Sequence, residues 1–414
     1  MTNALTPAPA TPMSSAEVVS TSHIGDNVAV GTLRAGVTVL VLAHHAVLAY
    51  HPMAPAPPTS LLVEPRWWGA FPVVDSQRWA GFALFTWFND IFFMALMFFI
   101  SGLFVWNSLL RKGSGRFLRD RALRLGLPFV VAAAVISPLA YYPSYLQTGA
   151  DPGLTSFWRQ WLSLGNWPAG PAWFIWLLLV FDAIAAGLFA LAPRRGDRHG
   201  RMPECARSRP AVFFGLLIVV SAAAYIPMAL AFSPLEWTAF GPFSFQTSRL
   251  FLYVIYFVAG VGVGAYGLQR GLLAPDGRLA QRWPLWVLAS LVAFGLTVYL
   301  TLMILVMPAE AISPGWEIAG GLTFVLSCGA SASGFLALFM RFAGRRVRAL
   351  DSLRDNAYGM YVIHYAFVSW LQLSLLRVPL SAPVKGAGVF LSTLALSWGS
   401  TIALRRVPAV ARVI

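Results

Sequence analysis

Ten apolar stretches, each about as long as a bilayer core is thick, dominate this sequence. They lie at residues 33–51, 82–107, 125–145, 171–193, 210–232, 246–268, 284–307, 317–340, 357–377 and 383–404. A helix needs about 20 apolar residues to cross the hydrocarbon core, whereas barrel strands are about half as long and alternate in polarity. The stretches therefore predict an all-α, polytopic membrane protein with about ten transmembrane helices.

The composition agrees with a chain that is largely surrounded by lipid. Hydrophobic residues make up 58% of the chain and charged residues 11%, against about 45–50% and about 25% in soluble domains. The net charge of +14 would suggest a nucleic-acid partner in a soluble protein. Here the charges have another explanation in their placement, so no nucleic-acid partner is predicted.

The positive charges alternate between the two sides of the predicted membrane domain. Twenty-three of the 30 Lys and Arg lie in the second, fourth, sixth and eighth connections (108–124, 194–209, 269–283 and 341–356) and in the C-terminal tail (405–414). The connections on the other side hold five. Because short cytoplasmic loops concentrate Lys and Arg, both termini are predicted to be cytoplasmic.

The chain divides into one membrane domain and two tails. Residues 1–32 are predicted to be a disordered cytoplasmic tail, because their start is rich in Ala, Pro, Ser and Thr and lacks the apolar segment of a secretory signal. The transmembrane domain is predicted at 33–404 and a cytoplasmic C-terminal tail at 405–414. Cys205 and Cys328 have neither metal-site nor disulfide spacing, and no metal site is predicted.

Ionisable residues within the spans are candidates for function, because charge is costly in a membrane. On the first span, Arg34 and His45 are eleven residues apart and share one helix face, separated by a rise of roughly 16 Å. They are too far apart to touch, so they would serve different parts of one ligand. Further candidates lie on later spans: Asp90, Asp182, Arg249, Glu317 and His364.

A carboxylate on the second span is predicted at the depth of His45. Asp90 lies roughly 12 Å from the outer end of its helix, and His45 roughly 9 Å from the outer end of the first helix. A His–Asp pair there would fix the imidazole tautomer and raise its basicity, as general-base catalysis requires. Alternatively, both side chains satisfy hydrogen bonds between helices.

Three further patterns have a structural explanation beside a functional one. The outer connections 52–80 and 143–170 are rich in Trp, which stacks on sugars or anchors at the membrane interface. The arginines between 116 and 124 would either bind phosphate groups or serve only to set the membrane topology. The stretch Gly260-Val261-Gly262-Val263-Gly264 lies inside a helix and allows close packing.

Several motifs in order resemble those of the acyltransferase family 3, a family of ten-helix membrane acyltransferases. The resemblance covers most of the chain. The motifs are Arg34 followed by His45, Phe98-Phe99-Ile100-Ser101-Gly102, the basic segment 117–128 ending in Pro128, Gly170-Pro171-Ala172-Trp173-Phe174-Ile175-Trp176, and Asn356-Ala357-Tyr358-Gly359-Met360-Tyr361-Val362-Ile363-His364. Within the family, the chain is most similar to the glucan biosynthesis protein C branch, which is associated with succinylating periplasmic glucans.

The resemblance implies transfer of an acetyl or succinyl group from cytoplasmic acyl-CoA, the co-substrate, to a hydroxyl of a periplasmic or lipid-linked glycan. No cofactor is expected to stay bound. His45 would act as general base, Asp90 would orient it, and Arg34, Arg121 and Arg124 would hold the donor. The doubled His44-His45 leaves open which imidazole is the base. Further residues are expected to contact the substrate: His44, Trp173, Arg249, Tyr361 and His364.

The resemblance also implies a multi-pass protein of the cell inner membrane, with glycan-synthesis proteins as possible partners. Two other functions remain open. A transporter or flippase of a glycan or lipid intermediate would use His45, Asp90 and His364 as a proton relay. A non-catalytic partner of a glycan synthase would need none of these side chains for chemistry.

Overall fold

The computed structural model describes residues 27–191, 209–268 and 271–414. Nine helical segments among these residues are long and apolar enough to cross a membrane, which confirms the prediction of an all-α polytopic membrane protein. The longer helices are α1 (Val28–Val47), α2 (Gly81–Gly102), α3 (Val105–Gln147), α4 (Leu154–Leu162), α5 (Trp173–Leu191), α6 (Pro210–Phe232), α7 (Leu250–Tyr266), α8 (Trp283–Val306), α9 (Pro314–Phe342), α10 (Arg348–Leu375) and α11 (Ala382–Leu404). Two helices of four residues, Arg278–Gln281 and Pro408–Ala411, complete the set.

Helix α10 covers all but the last two residues of the predicted ninth span, 357–377, but is not one of the nine apolar segments. It has 28 residues, which is long enough to cross the bilayer. Its buried residues include the polar Asn356, His364 and Gln372, so it is less apolar than its neighbours. A helix with a polar inner face in the middle of a bundle is where a functional site is expected.

Helix α3 covers the predicted connection 108–124 and is kinked at Gly113. Only Gly113, with φ 72° and ψ 163°, departs from helical geometry. Further on, two π-helical turns, Ala122–Gly126 and Ala132–Ile136, come just before Pro128 and Pro138. A proline cannot donate the backbone hydrogen bond of a regular turn, and a π turn accommodates this. The connection is therefore mostly helical, because arginine and leucine favour helix despite the charge.

Helix α1 begins at Val28, five residues before the predicted start of the membrane domain. The Asn27 side chain accepts hydrogen bonds from Ala29 N at 3.1 Å and Val30 N at 3.2 Å, a common way of starting a helix. Residues 1–26, which form most of the predicted tail, lie outside the described residues. The same holds for Cys205, for Arg270 and for most of the basic fourth connection.

An antiparallel hairpin lies between α6 and α7, where the sequence predicted no strand. Strand β1 (Trp237–Phe240) pairs with β2 (Phe243–Gln246), with Trp237 opposite Gln246. Gly241 takes a positive φ of 57° in the turn, which glycine adopts without steric cost. The hairpin packs on α5, where Trp176 donates from its indole N–H to the Ser244 carbonyl at 3.0 Å.

Helix α1 lies inside the bundle, in contact with α2, α9, α10 and α11. Helices α2 and α7 approach closely because Gly102, Gly260 and Gly264 face the partner backbone, and a Cβ at any of them would collide with a carbonyl oxygen. The predicted role of the glycines at 260–264 in close packing is thus confirmed at Gly260 and Gly264. Helices α2 and α10 thus both pack against α1.

Candidate functional site

Two histidines from opposite ends of the chain meet between α1 and α10. His45 Nδ1 lies 3.3 Å from His364 Nε2, and the ring centroids are 5.2 Å apart. His364 is fully buried, whereas His45 is only partly buried. The predicted candidates His45 and His364 therefore form one pair.

Two backbone carbonyls fix the proton positions in this pair. His45 Nδ1 lies 2.9 Å from the Val41 carbonyl oxygen, and His364 Nδ1 lies 2.7 Å from the Tyr361 carbonyl oxygen. Because a carbonyl only accepts, each Nδ1 carries a proton in the neutral ring. His364 Nε2 is then a lone pair that accepts from His45 Nδ1–H. The remaining lone pair is His45 Nε2, which has no hydrogen-bond partner among the described residues and is not enclosed.

A glutamine and a tyrosine of α10 hold the outer half of α1 in place. The Gln372 side-chain amide donates to the His45 carbonyl at 2.9 Å and to the Ala46 carbonyl at 3.1 Å. The Tyr365 ring packs edge-on against His45, with centroids 5.1 Å apart. Gln372 was missed from the sequence because only ionisable residues in the spans were considered; a polar amide in an apolar run was the available signal.

His44 faces α2 instead of α10, since consecutive helical residues point about 100° apart. Its ring stacks on Phe93 at a centroid distance of 5.4 Å, and its enclosed Nδ1 has no hydrogen-bond partner within 27–191, 209–268 and 271–414. Asn89 lies one turn from Phe93 on α2 and is fully buried. Neither of its side-chain polar atoms has a hydrogen-bond partner in the described part of the chain. Both helices therefore carry polar atoms without a hydrogen-bond partner among the described residues. Of the two residues, Asn89 was not predicted from the sequence.

The Asp90 carboxylate pairs with Arg249 rather than with His45, so the predicted His45–Asp90 pair is wrong. Arg249 Nη2 donates to Asp90 Oδ2 at 2.7 Å, and Nη1 donates to the Asp90 carbonyl at 3.0 Å. The guanidinium also lies 4.7 Å from the centre of the Phe324 ring. The similar depth of His45 and Asp90 did not imply contact, because His45 faces α10 and because a guanidinium is the stronger partner for a carboxylate.

The three arginines predicted to hold an anionic donor do not meet at one place. Arg34 is exposed at the inner end of α1. Arg121 lies inside, with Nε 3.1 Å from the fully buried Asp182 carboxylate of α5. Arg124 is exposed, and its carbonyl accepts from the Tyr358 hydroxyl at 2.6 Å. Arg121 therefore already has an ion-pair partner, whereas Arg34 and Arg124 present exposed side chains.

The two predicted aromatic substrate contacts lie in different surroundings. Tyr361 is one turn from His364, with ring centroids 5.9 Å apart, and its hydroxyl donates to the Pro171 carbonyl. Trp173 instead packs against Tyr253 and Trp237, at centroid distances of 5.7 Å and 5.5 Å. Tyr361 thus belongs to the surroundings of the histidine pair, and Trp173 to an aromatic group beside the hairpin.

Comparison with known proteins identifies the family. No curated protein matches this sequence, and no solved structure matches it. A family model described as an acyltransferase domain matches residues 27–402, which include helices α1 to α10 and all but the last two residues of α11. The chain therefore belongs to the acyltransferase family 3 and is a multi-pass membrane acyltransferase.

Proposed function

We propose that this protein is an O-acyltransferase that moves an acetyl or succinyl group from acyl-CoA to a hydroxyl of a periplasmic or lipid-linked glycan. We assign His45 as the general base. The observation that carries this proposal is the histidine pair: His45 Nδ1 is occupied by the Val41 carbonyl and His364 Nε2, and its Nε2 lone pair is left free.

The proposed reaction is a direct acyl transfer. His45 Nε2 accepts the proton of the acceptor hydroxyl while that oxygen attacks the thioester carbonyl carbon. The tetrahedral intermediate then breaks its carbon–sulfur bond, and the CoA thiolate takes the proton from His45. An ester and free CoA result, and His45 returns to its neutral form.

His364 supports this reaction as a positioning residue. When His45 carries two protons, its Nδ1–H still faces the Val41 oxygen and the His364 lone pair. Hydrogen bonds to the charged form stabilise it. The arrangement therefore favours the imidazolium that forms as the hydroxyl is deprotonated, although it lies in an apolar bundle.

The donor would approach from the side of Arg34, which is predicted to be cytoplasmic. Arg34 lies roughly 16 Å along α1 from His45, so the pantetheine arm would bridge the distance from the phosphates to the thioester. We assign the phosphate contacts to Arg34 and Arg124, because Arg121 is paired with Asp182.

The acceptor would enter from the opposite side, where the outer connections present tryptophans. Trp67 is 51%, Trp79 48% and Trp158 40% exposed, enough for sugar rings to stack on them. The family resemblance supports a glucan-type acceptor in an inner membrane. His44 would contact an acceptor hydroxyl near His45, whereas the Asp90–Arg249 pair would hold α2 against the start of α7.

The test is the acyl content of surface and periplasmic glycans, measured by mass spectrometry in a deletion strain. The strain is complemented with the wild type, with His45→Ala or with His44→Ala, each quantified in the membrane. We expect ester-linked acyl groups to return with the wild type and to be absent with His45→Ala. Acyl groups restored equally by His45→Ala would exclude His45 as the base, and glycans unchanged by the wild type would favour a transporter.

A further inference from the structure

An open cavity of about 620 Å³ lies on the exposed surface of α3, at the end of the helix that is predicted to be cytoplasmic. It is lined by Arg116, Arg119, Asp120, Ala122, Leu123 and Leu127. It is separate from the histidine pair, and its two arginines are not the ones that we assign to the donor. A ligand bound at this cavity would therefore be distinct from the donor that we assign to Arg34 and Arg124.

The cavity carries an excess of positive charge. The Asp120 carboxylate is bound by Lys112, with Nζ 2.5 Å from Oδ2. Arg116 and Arg119 are both exposed, and neither has an ion-pair partner in the described part of the chain. Arg121, five residues beyond Arg116, points the other way to buried Asp182. Two guanidinium groups are thus left to bind an anion.

An exposed apolar strip continues from the cavity along α3. Its members are 42–58% exposed and recur every four residues: Leu123, Leu127, Val131, Val135 and Leu139. From Leu123 to Leu139 the strip is about 24 Å long, more than the roughly 15 Å depth of one leaflet. A ligand with a negative headgroup and hydrocarbon chains matches both parts.

We propose that this surface binds an anionic phospholipid, with the phosphate at Arg116 and Arg119 and an acyl chain along Leu123, Leu127 and Val131. Anionic lipids are enriched on the cytoplasmic side, where basic residues near the surface bind them. A soluble phosphate compound would use the arginines but would leave the apolar strip uncovered. The strip therefore favours a lipid over coenzyme A at this cavity.

Native mass spectrometry of the full-length protein in a neutral detergent tests the proposal. The probes are dioleoyl phosphatidylglycerol and dioleoyl phosphatidylcholine. The variants are Arg116→Gln/Arg119→Gln and, as a matched control from another basic connection, Arg345→Gln/Arg348→Gln. Removing an arginine that contacts the lipid phosphate weakens binding roughly fivefold, so the first pair should weaken phosphatidylglycerol binding about 25-fold. The control pair removes the same charge but does not line the cavity, so it should stay within about twofold of the wild type.

A third variant, Leu127→Ser/Val131→Ser, tests the apolar strip. It should weaken binding of phosphatidylglycerol but leave binding of glycerophosphoglycerol, the headgroup without acyl chains, unchanged. Equal binding of the two lipids, or full binding by Arg116→Gln/Arg119→Gln, would overturn the proposal. Displacement of the lipid by coenzyme A, with loss of coenzyme A binding in that variant, would assign the cavity to the donor instead. None of these measurements requires acyl transfer to occur.

Discussion

His364 Nε2 lies 3.3 Å from His45 Nδ1 across 319 positions of sequence. The contact joins the first and the tenth long helices, and it leaves one imidazole nitrogen of His45 free. The central prediction about this pair is that His364 positions the base without touching the substrate.

Replacing His364 should slow turnover without weakening substrate binding. His364→Phe removes the lone pair that accepts from His45 Nδ1, and we expect kcat to fall by about 100-fold with KM for acyl-CoA changed by less than about twofold. His364→Gln keeps an acceptor on a side chain of smaller reach and should recover part of the rate. The measurement is CoA release against acyl-CoA concentration and pH. A KM effect without a kcat effect would place His364 in substrate binding.

Separating Asp90 from Arg249 should reduce stability. Asp90→Asn leaves Arg249 buried without its counter-charge. Because Asp90 itself is 46% exposed, we expect a loss of about 1–3 kcal/mol rather than the larger cost of a fully buried pair. The measurement is thermal unfolding in detergent of Asp90→Asn, of Arg249→Gln and of the double variant Asp90→Asn/Arg249→Gln. Comparing the three gives the coupling free energy between the two side chains. An Asp90→Asn protein that is fully stable but as inactive as His45→Ala would contradict this structural role.

A second ion pair fixes the outer connection between α1 and α2 to the last long helix. Lys385 Nζ lies 2.7 Å from Asp75 Oδ2, and both side chains are buried. Lys385→Met leaves an uncompensated carboxylate, which should cost about 3–5 kcal/mol. Limited proteolysis should then cut within 52–80. Lys385→Met/Asp75→Asn should recover much of the protection, and equal cleavage of both variants would argue against the pairing.

His51 should make the outer side of the protein sensitive to acid. Burial and the nearby Arg78 lower the pKa of His51 below 6.5, and its Nδ1 accepts from Met53 N at 3.2 Å. The unfolded chain binds this proton more tightly, so stability is lost as the pH falls below about 6.5, by at most about 1.4 kcal/mol per pH unit. The measurement is the thermal unfolding midpoint between pH 7 and 5, and in His51→Gln this midpoint should no longer fall with pH on account of residue 51. An unchanged acid slope would assign it to other groups.

The sequence predicted the membrane spans well, because apolar length is a local property. It also placed Arg34 and His45 on one stripe of α1, since helical periodicity is local too. It could not predict that His45 would meet His364 while Asp90 meets Arg249, because these contacts depend on how helices rotate against each other. The hairpin at 237–246 was missed because two strands of four residues leave little periodic signal.

The most direct test of the proposed function follows the acyl group from CoA to the acceptor, with purified protein in lipid nanodiscs. Radiolabelled acetyl-CoA or succinyl-CoA is mixed with a glucan oligosaccharide, and CoA release and labelled ester are counted for the wild type, His45→Gln and His44→Gln. We predict that the wild type forms one ester per CoA released and that His45→Gln forms at least about 100-fold less. His44→Gln, which changes only an acceptor contact, should retain transfer at saturating oligosaccharide. Ester formation by His45→Gln at the wild-type rate would contradict the assignment of His45 as the base.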